Sequence, residues 1–79
     1  MDKKEIAKII LFHRKKSGLS RVELAELAGI GKTSVFDIES GKKDFRIDTF
    51  YAVCRVLNID IVPQSSLMEE YEKNTDKEK

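Results

Sequence analysis

Residues 18–43, GLSRVELAELAGIGKTSVFDIESGKK, leave little choice of fold. Ser20 and Glu23 form the S-x-x-E pattern of a capping box, in which each side chain takes the other residue's backbone N–H and so starts a helix. Val22, Leu24, Ala25, Leu27 and Ala28 follow, with Leu24, Leu27 and Ala28 expected to face inward. Ala25 is small where two helices have to cross closely. Gly29 closes this helix, and a positive φ is expected there. Ile30 then plugs the turn. Lys32 to Ser40 read as a further helix with Val35 and Ile38 toward the core, and Gly41 ends it. Lys42 to Arg46 form a cationic loop interrupted by Asp44.

Two short amphipathic helices joined by a glycine turn are the layout of a helix-turn-helix, whose second helix can enter a DNA major groove. The flanking sequence reads as its support. Residues 3–17 predict a first helix, with Ile6, Ile10 and His13 as its core stripe and Ile9 and Phe12 on a second flank. Arg14, Lys15 and Lys16 place cations at its negative end, and Gly18 stops it. Residues 47–57 predict a fourth helix with Ile47, Phe50, Val53, Cys54 and Leu57 buried, ended by a left-handed Asn58. Ile59-Asp60-Ile61-Val62 changes the pattern: it is β-branched, begins with alternation, and is closed by Pro63. An isolated strand is unstable, and the chain offers no good second one. The economical partner is the same segment of a second copy, which makes Ile59, Ile61 and Val62 a dimer interface. The alternative is a fifth short helix or an apolar loop. The expected organisation is a helix-turn-helix and dimerisation domain at 1–63 and a polar, flexible tail at 64–79, in which Leu67, Met68 and Tyr71 are the main apolar residues.

Composition narrows the rest. A chain of 79 residues is one small domain. Of its residues 41% are hydrophobic and 37% charged, which suits a globular chain rather than a disordered one. No apolar run reaches the ~18 residues that would span a membrane, and the N-terminus lacks a small-residue cleavage site. The single Cys54 excludes an internal disulfide and suits a reducing cytosol, so a cytoplasmic location is expected. Net charge is +1, but residues 1–63 hold 12 Lys and Arg against nine Asp and Glu, while the tail holds three Lys against five acids. The body is mildly basic. No nucleophile–base pair, phosphate-binding glycine loop or metal-ligand cluster is present, so neither an enzyme nor a cofactor is expected. His13 has no second ligand at metal-binding spacing.

Residues 4–59 resemble the phage repressor/Cro-type helix-turn-helix family, also called the XRE family. The likeness rests on Leu19, Ser20, Leu24, Ala25, Gly29, Ile30, Val35, Ile38, Glu39 and Gly41, with Arg14 matching a frequent family arginine. It implies an all-α, four- to five-helix lambda-repressor-like domain, here with a short C-terminal β-strand paired across a dimer. A strand directly after the last helix, followed by a polar tail, is similar to the HipB-type antitoxins of that family.

The resemblance also assigns roles. Lys32, Thr33, Phe36 and Asp37 share the face of the second motif helix from which similar proteins read bases. Lys32 suits guanine O6/N7, Thr33 a base or a thymine methyl, Asp37 cytosine N4 and Phe36 a thymine methyl. Phe36 and Asp37 depart from the polar or basic residues usual there, and the alternative is a protein contact for Phe36 and a solvated Asp37. Gly31 replaces the usual capping Ser or Thr. Phosphate anchoring falls to Arg21, where relatives often carry Gln, and to Lys42 and Lys43, with Ser34, Ser40 and Arg46 as lesser candidates. Arg14 and Glu39 are expected to form a structural ion pair. Cys54 stands where alanine is common and is expected to be a small core residue.

The function implied is a sequence-specific transcriptional regulator, a repressor, binding double-stranded DNA at a palindromic operator as a homodimer. The antitoxin of a HipBA-like pair is the narrower expectation, with a HipA-like kinase as toxin partner and Ile9, Phe12 and the Leu67-Met68-Tyr71 cluster as candidate contacts. The alternatives are a protein-interaction module without specific DNA reading and a restriction–modification controller protein.

Overall fold

The computed structural model describes residues 2–61. Within them lie four helices, α1 (Lys3–Lys16), α2 (Arg21–Ala28), α3 (Lys32–Ser40) and α4 (Ile47–Val56), and no strand. Residues 59–61 carry no regular secondary structure. Val62, Pro63 and the tail expected at 64–79 lie outside the described residues.

Each helix starts and stops for a local reason. Asp2 caps α1 by accepting from the Glu5 N–H at 2.8 Å. Ser20 caps α2 through the complete capping box: the Glu23 N–H donates to Ser20 Oγ at 3.0 Å, and the Ser20 N–H donates to Glu23 Oε1 at 2.9 Å. That Ser20 N–H, with the serine hydroxyl beside it, holds the exposed Glu23 carboxyl below its ordinary range. Neither Gly31 before α3 nor Arg46 before α4 offers a side-chain cap.

Three of the helix ends share one device. Gly18, Gly29 and Asn58 adopt left-handed φ values of 74°, 71° and 57°. The next N–H then reaches five residues back: Leu19 to Arg14 O, Ile30 to Ala25 O and Ile59 to Cys54 O. This closure satisfies a helix-end carbonyl and turns the following apolar side chain inward. Leu19, Ile30 and Ile59 accordingly pack against the core.

The core draws on all four helices. Ile10 of α1, Leu24 and Ala25 of α2, Val35 and Ile38 of α3, and Val53 and Cys54 of α4 are buried, with Leu57 beneath them. Helix α3 packs on α1 and α2, and α4 packs on α2. Gly41 seats the end of α3 on α1. Its φ is +71°, and a Cβ there would lie 3.3 Å from Ala7 Cβ and 3.4 Å from Lys4 Cα.

Three expected core positions face elsewhere. The stripe of α1 is Ala7, Ile10 and Arg14, rotated from Ile6, Ile10 and His13. An arginine replaces the histidine in the stripe because Glu39 supplies its counter-charge. His13 is half-buried beside it, bonded through Nδ1 to Ile9 O at 2.7 Å and edge-on to Phe12. Leu27 is 63% exposed, because α2 turns Leu24 and Ala25 to the core and Leu27 lies beside Leu24 on the flank away from Ala25. Ile47 is 64% exposed because it is the first residue of α4, where no neighbouring helix covers it.

Candidate nucleic-acid interface

Glu39 is the hub of the motif. Its side chain is only 3% exposed and accepts three hydrogen bonds: Arg14 Nε at 2.6 Å, Arg14 Nη2 at 3.1 Å and Arg21 Nε at 2.9 Å. Arg14 spends Nη1 on Leu19 O at 2.9 Å. One carboxylate on α3 therefore joins α1, the start of α2 and the turn between them. No buried side-chain polar atom among the described residues lacks a partner, so the buried groups of this cluster are fully hydrogen-bonded.

This scaffold fixes the outer face of α3. Lys32 and Thr33 are exposed in its first turn, and Phe36 is 47% exposed one turn on. Asp37 is half-buried, and Lys43 Nζ stands 3.7 Å from its Oδ1. Lys32, Thr33, Phe36 and Asp37 thus lie together on the side of α3 opposite Val35 and Ile38. The Lys43 ammonium offsets the Asp37 charge that would otherwise repel a phosphate backbone.

The expected phosphate anchors are placed unequally. Lys42 and Lys43 are exposed on the loop directly after α3. Ser34 is half-buried, lining a recess with Asp37, Asp44, Phe45, Arg46 and Thr49. Ser40 donates its only hydroxyl proton to Asp37 O at 2.7 Å and accepts from the Lys42 N–H at 3.2 Å. It shapes the end of α3 and keeps no proton for a phosphate. Arg46 is drawn to Asp48 at 3.2 Å. Arg21, 41% exposed, bonds Glu39 and lies over the Phe36 ring, with its guanidinium carbon 4.8 Å from the ring centroid.

Two contacts had no signal in local sequence. The Arg21–Phe36 stack joins residues fifteen positions apart. Asp44, which breaks the cationic run, pairs with Lys3 at 2.5 Å and ties the loop to the start of α1. Lys3 donates a hydrogen bond to the Asp44 carboxyl and holds it below its ordinary range. Phe45 packs beside Phe50, ring centroids 5.5 Å apart, and anchors the other end of the loop. Ile59, expected at a dimer interface, lies half-buried against the core of its own chain; Ile61 is exposed.

Cys54 is buried in the core, and that burial pushes its thiol above the ordinary range. Among the described residues no group of His, Cys, Asp and Glu is arranged to hold a metal ion, and no helix is long and apolar enough to cross a membrane.

A helix-turn-helix family model matches residues 13–63, about two thirds of the chain. No curated protein matches it. The matched span takes in the end of α1, the motif helices α2 and α3, the cationic loop and α4, so the geometry and the match cover the same residues. The chain belongs to the Cro/XRE-type helix-turn-helix family of DNA-binding regulators.

Proposed function

We propose that this chain is a sequence-specific transcriptional repressor that binds a palindromic operator as a homodimer. The observation that carries this is the outer face of α3. Lys32, Thr33, Phe36 and Asp37 stand clear of the core on a helix locked by Glu39, with Lys42 and Lys43 exposed at its end. A rigid reading helix flanked by exposed ammonium groups combines base contacts with phosphate contacts. Two copies related by a two-fold axis set two such helices in successive major grooves, about 34 Å apart.

Dimerisation through residues 59–62 remains part of this reading. Ile61 is exposed beyond the end of α4, and Tyr51 and Ile47 are exposed apolar residues on α4 itself. Replacing Ile61 with Asp yields monomers in sedimentation if strand pairing holds the dimer; a surviving dimer sinks that part. The antitoxin role rests on the likeness to HipB-type proteins, with a HipA-like kinase as partner. Exposed Phe12, with Lys16 Nζ 5.9 Å from its ring centroid, is a candidate contact on α1. A kinase-like gene beside this one supports it; a methyltransferase gene supports a restriction–modification controller instead.

Phe36 and Asp37 favour a second reading, a protein-interaction module, because a half-exposed ring and a paired carboxylate read few bases. A gel shift with the DNA upstream of the chain's own gene separates the two. The repressor binds a palindromic fragment with affinity that falls steeply as salt rises. Absence of binding at low salt overturns it.

A further inference from the structure

Arg21 is held in two ways that a simple phosphate anchor does not need. Its Nε donates to Glu39 Oε1 at 2.9 Å, and its guanidinium lies over the Phe36 ring at 4.8 Å. Glu39 cannot follow Arg21 if it moves, because both of its oxygens are also taken by buried Arg14. One edge and one face of the guanidinium are therefore fixed. The bond to Glu39 uses Nε alone, which leaves the Nη groups as donors, and the side chain is 41% exposed. An arginine fork with a fixed plane suits a bidentate acceptor, a base edge or a phosphate, in a way that a lysine's point charge does not.

The position of the stack decides which acceptor it meets. Phe36 belongs to the outer face of α3, one turn after Lys32, and Arg21 is parked on it rather than splayed outward from α2. On a base edge in the major groove, the paired acceptors that match an arginine fork are guanine O6 and N7. We propose that Arg21, though it belongs to α2, is a specificity-determining residue that reads a guanine, and that Phe36 is its positioning residue. This accounts for the atypical Phe36: the ring takes no hydrogen bond itself but orients a neighbour that makes two. The inference rests on the DNA-binding reading above and adds one recognised base to it.

Selection from a random duplex pool tests it, using the full chain and its Arg21→Lys, Arg21→Ala and Phe36→Ala variants, each checked for folding by far-UV circular dichroism. The parent chain enriches a palindrome with a guanine at one fixed place in each half-site. Arg21→Lys and Arg21→Ala lose preference at that place alone, by roughly 5- to 150-fold against the other bases, and Phe36→Ala weakens preference at the same place. Because Lys keeps the charge, the Arg21→Lys result separates a fork from a point charge even if Arg21→Ala fails to fold. The proposal is overturned if the variants keep the parent motif while binding all sequences more weakly, with the log–log salt slope of Arg21→Ala shallower by about one; Arg21 is then a phosphate anchor. A parent chain that enriches no motif overturns the DNA-reading function itself, and this proposal with it.

Discussion

Glu39 makes the sharpest demand on the fold, and its removal tests how the motif is held. Glu39→Ala deletes three hydrogen bonds, at 2.6, 2.9 and 3.1 Å, from a side chain 3% exposed. The two arginines left behind differ. Arg14 is 8% exposed, so its charge stays buried with only Leu19 O as partner, and stranding a buried charge costs about 3–5 kcal/mol. Arg21 is 41% exposed, so water replaces most of what it loses, and its share is below about 1 kcal/mol. A chain of this length has a total stability of about 4–12 kcal/mol at ~0.05–0.15 kcal/mol per residue, so Glu39→Ala removes roughly a quarter or more of it. Urea unfolding followed by circular dichroism reads this as a lower midpoint with an unchanged slope. Arg14→Ala should cost nearly as much as Glu39→Ala, Arg21→Ala much less. A double-mutant cycle should give a coupling of about 2–3 kcal/mol for Arg14–Glu39 and under about 1 kcal/mol for Arg21–Glu39. Equal couplings, or a Glu39→Ala cost below ~1 kcal/mol, would refute the argument that burial ranks the two pairs.

Three further outcomes are expected. Gly41→Ala should destabilise by about 1–3 kcal/mol, because it combines a φ of +71° with a Cβ 3.3 Å from Ala7. Gly29→Ala, at the same φ but with open space around it, should cost only about 1 kcal/mol; urea midpoints compare them. The Glu23 carboxyl lies below its ordinary range in the folded chain, so its contribution is complete above about pH 4.3 and is lost as pH falls through the folded value. Ser20→Ala should cost about 1 kcal/mol at pH 7 and make stability less sensitive to acid below pH 4.3. Burial raises the Cys54 thiol, so stability is unaffected by this group below about pH 8.5 and declines as pH rises through the folded value. Alkylation of Cys54 should be slow at pH 7.5 and accelerate with urea; fast alkylation of the folded chain would contradict its burial.

Where partners lie close in sequence, the fold was legible. The capping box needs only Ser20 and Glu23, and the left-handed stops need only Gly29 and Asn58, so α2 and the ends of α2 and α4 followed from local chemistry. Periodicity located the helices well but placed their faces less well. Leu27 is apolar yet exposed, because hydropathy cannot say which of two adjacent apolar residues a neighbouring helix covers. Arg14 is charged yet buried, because its counter-charge is twenty-five residues away on α3. The outer face of α3 was legible as a set of positions, not as chemistry. What Phe36, Asp37 and Arg21 present depends on stacking and pairing with Arg21, Lys43 and Glu39 across the tertiary structure.

Ile59 shows how one residue can satisfy two patterns. In sequence it opens a β-branched run and reads as the first residue of a strand. In the fold it follows left-handed Asn58, donates its N–H to Cys54 O at 2.9 Å and packs on the core. Leu19 does the same after Gly18, and Ile30 after Gly29. The third closure therefore accounts for Ile59 without any strand, since its apolar side chain already has a place inside its own chain. The closure ends at Ile59. Ile61 is exposed, and no helix-end closure needs it. If two copies pair through this segment, Ile61 and Val62 have to carry the contact, and Ile59 serves only to fix where the segment leaves α4. Ile59→Asp should then lower the stability of each chain, whereas Ile61→Asp should lower only the dimer's, and sedimentation alongside urea unfolding tells these apart.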